Sequence, residues 1–240
     1  MIGKMNGALL KKIAVVTMLI DHLGAAFFFI YTSMYDGSAA FAGADTVYRL
    51  MRIIGRTAFP IFCFLLVEGF FHTRSRGKYL FRLFLFSLLS EVPFDLAFHD
   101  SVWDLTSQNV FFTLFLGLLA VMAVHGAKQS VLQRAEHWWL KFTTLMILAV
   151  LCPVAAYFGR TDYDVSGVLL ILILYELREQ RVLACVCGYL CLLHEVWCFP
   201  AFLLLKFYDG SRGKGSKYFY YLFYPVHLIL LALLRIVCLK

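Results

Sequence analysis

The chain has 240 residues, 62% of them hydrophobic and 17% aromatic, with only 15% charged and a mean hydropathy of +0.78. A soluble domain carries about 25% charged residues, so a water-facing surface cannot be built from what remains, and a soluble enzyme is excluded. The net charge of +7 has an origin in membrane topology, set out below, and calls for no nucleic-acid partner.

At about 20 apolar residues per crossing, the chain has room for roughly eight or nine helices with short loops. The expectation is an all-α, polytopic transmembrane bundle occupying residues 1–240 as a single domain. The basic head, MIGKMNGALLKK, leads into an apolar run that contains Asp21 and His22 and shows no small-residue cleavage site. The first helix is therefore expected to target the chain itself. Apolar runs predict spans over 9–31, 47–71, 79–98, 107–126, 138–158, 164–179, 181–193, 197–208 and 217–239.

The connections between these spans alternate in charge. Lys4, Lys11 and Lys12 precede the first span, Asp36 and Asp45 follow it, and Arg74, Arg76 and Lys78 follow the second. Asp100 and Asp104 come next, then Lys128, Arg134 and Lys141, then Asp162 and Asp164 after Arg160. Arg178 and Arg181, and finally Lys206, Arg212, Lys214 and Lys217, complete the pattern. The positive-inside rule then puts the N-terminus in the cytoplasm, in keeping with a bacterial inner membrane. Residues 181–208 must be broken near His194–Pro200 for the alternation to hold, which gives nine spans and an external C-terminus. The Gly- and Lys-rich segment 210–217 reads as a linker.

Seven cysteines lie mostly within apolar runs; Cys185, Cys187 and Cys191 have no partner at zinc-ligand spacing. They read as small packing residues, and no metal is expected.

Ionisable groups at the centre of a membrane helix cost about 2.5–3.5 kcal/mol each on insertion scales. At 1.5 Å per residue, His22, Arg56, Glu91 and His227 all fall within roughly 5 Å of the bilayer midplane. Asp21 adjoins His22, Arg52 lies one turn before Arg56, Asp95 one turn after Glu91, and Tyr224 three residues before His227. Pro225 predicts a kink beside that histidine. Two readings stay open: a buried structural network, with Arg56 paired to Glu91 or Asp21, or a reactive cavity in which histidine moves protons. At the expected cytoplasmic end of the second span, Glu68 and His72 adjoin Arg74, Arg76, Lys78 and Arg82, either a topogenic loop or a receiver of phosphates. Gln108, Asn109 and Thr113 open the fourth span as acceptor contacts or interhelical hydrogen bonds.

Several ordered polar strings resemble the TraX family of membrane proteins. They are Met18–Gly24 (MLIDHLG), Arg52–Phe62 (RIIGRTAFPIF), Glu68–Arg74 (EGFFHTR), Ser90–Asp95 (SEVPFD), Gln108–Thr113 (QNVFFT) and Tyr224–His227 (YPVH). The resemblance runs from about residue 8 to the C-terminus. It implies acyl transfer, acetyl in the conjugative-plasmid member for which the family is named, from cytoplasmic acetyl-CoA to an acceptor in or beyond the membrane, an amine or hydroxyl on a peptide, lipid or small molecule. By this likeness His22 is the base and Asp21 its orienting partner; the mid-membrane position of Arg56 and His227 adds the expectation that they stabilise the oxyanion. Arg52, Glu91, Asp95, Asn109 and Tyr224 are expected to support the site or meet substrate, with Glu91 and Asp95 holding the two arginines or attracting a cationic amine. Arg74, Arg76, Lys78 and Arg82 receive the phosphates of CoA. A covalent route through Cys63 lacks an adjacent base. The competing class is a transporter or flippase using the same polar cluster.

Overall fold

The computed structural model describes residues 5–28, 39–133, 136–215 and 217–239. Lys4, Asp36 and Arg134 of the charge pattern lie outside the described residues, as does the end of the first predicted span.

All regular structure among the described residues is helical. Helix α1 (Gly7–Leu23) runs into a π-helical turn, Gly24–Phe28. There follow α2 (Ala39–Gly55), α3 (Ala58–His72), α4 (Arg76–Phe98), α5 (Val110–Leu132), α6 (Trp138–Phe158), α7 (Asp164–Glu176) and α8 (Arg181–Cys191). A 3₁₀ turn, Leu193–Cys198, precedes α9 (Phe199–Lys206), and α10 (Lys217–Leu239) closes the chain. Helix α2 begins well before the predicted span at 47, because Ala39, Ala40, Ala42 and Ala44 favour helix and Asp45 pairs with Arg49 one turn on at 2.7 Å.

Among the described residues, four stretches are long and apolar enough to cross a membrane: Gly43–His72, Val110–Leu132, Trp138–Phe158 and Phe219–Val237. Helices α7, α8 and α9, with 13, 11 and 8 residues, rise only about 20, 16 and 12 Å against a hydrocarbon core of about 30 Å.

Prolines fix two of the breaks. Pro60 offers no N–H to the carbonyl of Arg56 and crowds it, and the chain turns at Arg56–Thr57 between α2 and α3. Pro200 does the same to Val196, and within the preceding 3₁₀ turn Glu195 leaves helical geometry altogether, at φ −113° and ψ 59°. The break expected at His194–Pro200 is therefore present. Helix α10, by contrast, stays continuous through Pro225.

The chain divides into two compact units, each drawn from separated segments. The first comprises Met1–Phe62, Leu89–Asp104 and Leu192–Lys240, and the second Cys63–Leu88 and Leu105–Cys191. In the first, the N-terminal segment pairs with the basic linker: Met5 N donates to Phe207 O at 3.0 Å, Asp209 N to Met5 O at 3.0 Å, and Gly7 N to Ser211 O at 2.8 Å. Asp100 in turn meets Arg235 near the C-terminus at 3.2 Å. In the second, Gln108 N donates to Arg160 O at 2.9 Å and Asp162 N to Gln108 O at 3.0 Å. Each contact joins segments that the charge alternation assigns to one side of the membrane.

Packing in the second unit relies on small residues, which let helices approach closely in lipid. Ala120, Cys152, Ala156 and Val168 form a buried cluster from α5, α6 and α7. Gly117 lies against Ile171, whose side chain fills the space a methyl there would need.

Candidate functional site

The first unit gathers the costly groups from four helices. His22 on α1 and His227 on α10 meet directly, Nδ1 to Nε2, at 2.7 Å. Their planes differ by 8° and the ring centres lie 5.0 Å apart. That spacing is close to the 2.7 Å contact plus the two ring radii, so the rings join edge to edge nearly in one plane, along the lone-pair direction a hydrogen bond prefers. Nδ1 of His227 also contacts the carbonyl of Phe223 at 2.8 Å.

Aromatic rings enclose the pair. Phe98 and Tyr224 stand edge-on to His22 at 5.3 and 5.9 Å, and Phe223 lies parallel to His227 at 4.8 Å. Both histidines thus sit among apolar surfaces, where any charge that develops is poorly screened.

Beside them lies a four-charge network. Arg52 Nη1 donates to Asp21 Oδ2 at 2.6 Å, and Arg56 Nη1 meets Glu195 Oε1 at 3.0 Å. Arg56 and Glu195 both lie within electrostatic reach of Asp21, and Arg52 within reach of His22. Two positive and two negative groups balance, which is how such charges are tolerated away from water. The breaks at Pro60 and Pro200 position one of these pairs: Arg56 occupies the first turn and Glu195 the second. Gly55 lets α1 and α2 close on this network, for Asp21 occupies the space where a Cβ would stand.

The pairing differs from the one read in the sequence. Arg52 pairs with Asp21, and Arg56 with Glu195. Asp95 is fully buried and its Oδ2 accepts from the Asp104 backbone at 2.9 Å, so it anchors the loop after α4. Glu91 is buried on the same helix. Both ring nitrogens of His227 are engaged, one with His22 and one with the Phe223 carbonyl. Glu195 was visible in the sequence only as part of a break, and the signal that could have promoted it was a carboxylate within an apolar run, five residues before a proline.

In the second unit, Asn109 is wholly buried. Its Oδ1 accepts from Phe111 N at 3.0 Å, capping α5, and its Nδ2 donates to Ser87 O at 2.8 Å. Thr113 donates to Asp162 O. These are structural bonds. Cys63 is completely buried.

The cations divide into two sets. Arg178 forks onto Glu68, Nε to Oε1 at 2.8 Å and Nη2 to Oε2 at 3.3 Å, and lies 4.4 Å over the Phe71 ring. Lys128 pairs with Glu176, and His125 Nδ1 contacts the Tyr175 hydroxyl at 2.9 Å. Arg76 lies over Phe70 at 4.2 Å and Arg82 over Tyr79 at 5.8 Å, while Arg74 and Lys78 are exposed. The sequence reading named the second set but missed Arg178, Lys128 and Tyr175, which it treated as topogenic or apolar. Among the described residues no group of three His, Cys, Asp or Glu side chains is placed to hold a metal.

The model of the family described as TraX protein matches residues 6–235, which takes in the histidine pair, the charge network and the cation set. The chain belongs to the TraX family. A relative, "Probable fimbrial assembly protein FimC, serogroup H1" of Dichelobacter nodosus, is 32% identical over 249 residues, covering 92% of each chain. No solved structure matches the chain. Family and composition together make this an integral membrane protein.

Proposed function

We propose that this TraX-family protein is a membrane-embedded acyltransferase that moves an acetyl group from cytoplasmic acetyl-CoA to an amine. The observation that carries the reading is the His22–His227 contact, a proton-handling pair enclosed by aromatic rings within a membrane protein. The name of the fimbrial relative suggests the free N-terminus of a pilin-like peptide as acceptor.

In this reading His22 takes a proton from the acceptor nitrogen as that nitrogen attacks the thioester carbonyl carbon. Arg52 and Arg56, held by Asp21 and Glu195, supply N–H donors to the carbonyl oxygen as it becomes negative. The carbon–sulfur bond breaks, the proton passes from His22 to the departing sulfur, and an amide and CoA thiol leave. Arg74, Arg76, Lys78 and Arg82 receive the donor's phosphates. The topology that accompanies it has a cytoplasmic N-terminus, nine membrane segments of which α7, α8 and α9 are too short to cross alone, and an external C-terminus in a bacterial inner membrane. The same-side contacts within each unit support it.

The test incubates protein in lipid nanodiscs with labelled acetyl-CoA and a peptide bearing a free N-terminal amine, following thiol release and label on the peptide. His22→Ala is expected to abolish both while the protein stays monodisperse. Peptide crossing sealed vesicles without CoA consumption would replace the reading with transport.

A further inference from the structure

The histidine pair carries more information than proximity, because its hydrogens can be assigned. A carbonyl oxygen only accepts, so Nδ1 of His227, 2.8 Å from Phe223 O, carries a hydrogen. In the neutral ring the other nitrogen, Nε2, then has a lone pair and no hydrogen. It faces Nδ1 of His22 at 2.7 Å, so the hydrogen between the rings belongs to His22. The neutral His22 ring therefore has its basic, in-plane lone pair on Nε2.

The direction of this chain is fixed by backbone. Phe223 lies four residues before His227 in α10, so its carbonyl stands beside the His227 ring as part of the helix itself. The parallel Phe223 ring at 4.8 Å and the edge-on Tyr224 ring at 5.4 Å hold the imidazole in that orientation.

We infer that His227 is a positioning residue that sets the tautomer of His22, so that Nε2 of His22 is the atom that takes the acceptor's proton. This rests on the transferase reading given above. When Nε2 gains its proton, His22 becomes an imidazolium whose Nδ1–H still donates to His227, and the positive charge is shared along the bond toward the Phe223 carbonyl. When the proton leaves to sulfur, the original tautomer returns. A lone imidazole among apolar rings would have neither the fixed tautomer nor the acceptor for its charge.

The experiment uses full-length protein in nanodiscs with ¹⁵N-labelled histidine, read by NMR, alongside acetyl-transfer kinetics. The resting His22 is expected to show a protonated Nδ1 and a bare Nε2. His227→Gln offers a carbonyl oxygen in place of Nε2 and should keep that tautomer and turnover within about 10-fold. His227→Phe keeps a ring but removes the acceptor, and should release His22 to the other tautomer with a fall in kcat of about 100-fold or more, since a mis-set tautomer can cost about 10⁴. KM for the donor should stay put. A wild-type His22 protonated at Nε2 overturns the inference, as does undiminished turnover in His227→Phe. If His227→Phe fails to fold, the wild-type spectrum and His227→Gln still decide. Should the spectra agree while wild type transfers no acetyl group, the tautomer assignment stands and the transferase reading falls.

Discussion

Replacing Gly55 with alanine probes the contact on which the charge network depends. A methyl there overlaps Oδ1, Cβ and Cγ of Asp21. The Cβ is tied to the backbone of α1, so the clash cannot be relieved by swinging a flexible tip aside. Helices α1 and α2 must part, and the 2.6 Å bond from Arg52 to Asp21 goes with them. Overpacking costs about 1–3 kcal/mol and a lost hydrogen bond to a charged group about 1.5–3 kcal/mol. Alanine returns about 1 kcal/mol through helix propensity. The net loss is about 1.5–5 kcal/mol, which for a chain of this size lowers Tm by roughly 3–20 °C. Gly43 on the same helix has nothing within 4 Å of its Cβ position, so Gly43→Ala is the matched control and should hold or slightly raise Tm. Thermal unfolding in nanodiscs, followed by intrinsic fluorescence, reads both. A Gly55→Ala protein as stable as Gly43→Ala, with acetyl transfer unchanged, refutes the reasoning.

Asn109→Ala removes both the α5 cap and the bond to Ser87, and should cost about 2 kcal/mol in the same assay. Asn109→Asp keeps the cap acceptor but not the donor to Ser87, so its Tm should fall between. Arg178→Ala strands the carboxylate of Glu68, whose side chain is 8% exposed, and should destabilise by on the order of 3 kcal/mol. The double variant Glu68→Leu with Arg178→Met should recover more than half of that, and equal losses in single and double variants would remove the ion pair from the account. Arg76→Ala together with Lys78→Ala should raise KM for acetyl-CoA several-fold with little change in kcat; an unaltered KM takes both out of the donor site.

Hydropathy made the helical membrane class legible, and the alternation of loop charge made the interruption at His194–Pro200 legible too. Depth along each helix brought His22 and His227 to one level, and they do meet. What depth does not contain is rotation. Arg52 could face either Asp21 or the carboxylates of α4, because both choices lie at compatible heights; the choice was made by the close approach that Gly55 permits. Glu195 escaped notice because its role depends on leaving helical geometry, which aims a side chain that periodicity would have sent elsewhere. Arg178 looked like a topogenic charge because nothing in its local sequence points to Glu68, 110 positions away. Asn109 reads from the sequence as either an acceptor contact or an interhelical hydrogen bond, and only coordinates separate a helix cap from a ligand contact.

The interleaving of the first unit has a consequence for biosynthesis. His22 waits 205 positions for His227, an interval of about 10–40 s at ordinary translation speeds of about 5–20 residues per second. Asp21 waits only 31 positions for Arg52. The nascent first helix can thus neutralise its most costly group within seconds of entering the lipid, while its imidazole stays solitary until the last helix emerges. A ribosome-bound intermediate lacking α10 should accordingly be inserted and charge-balanced, yet chemically inert.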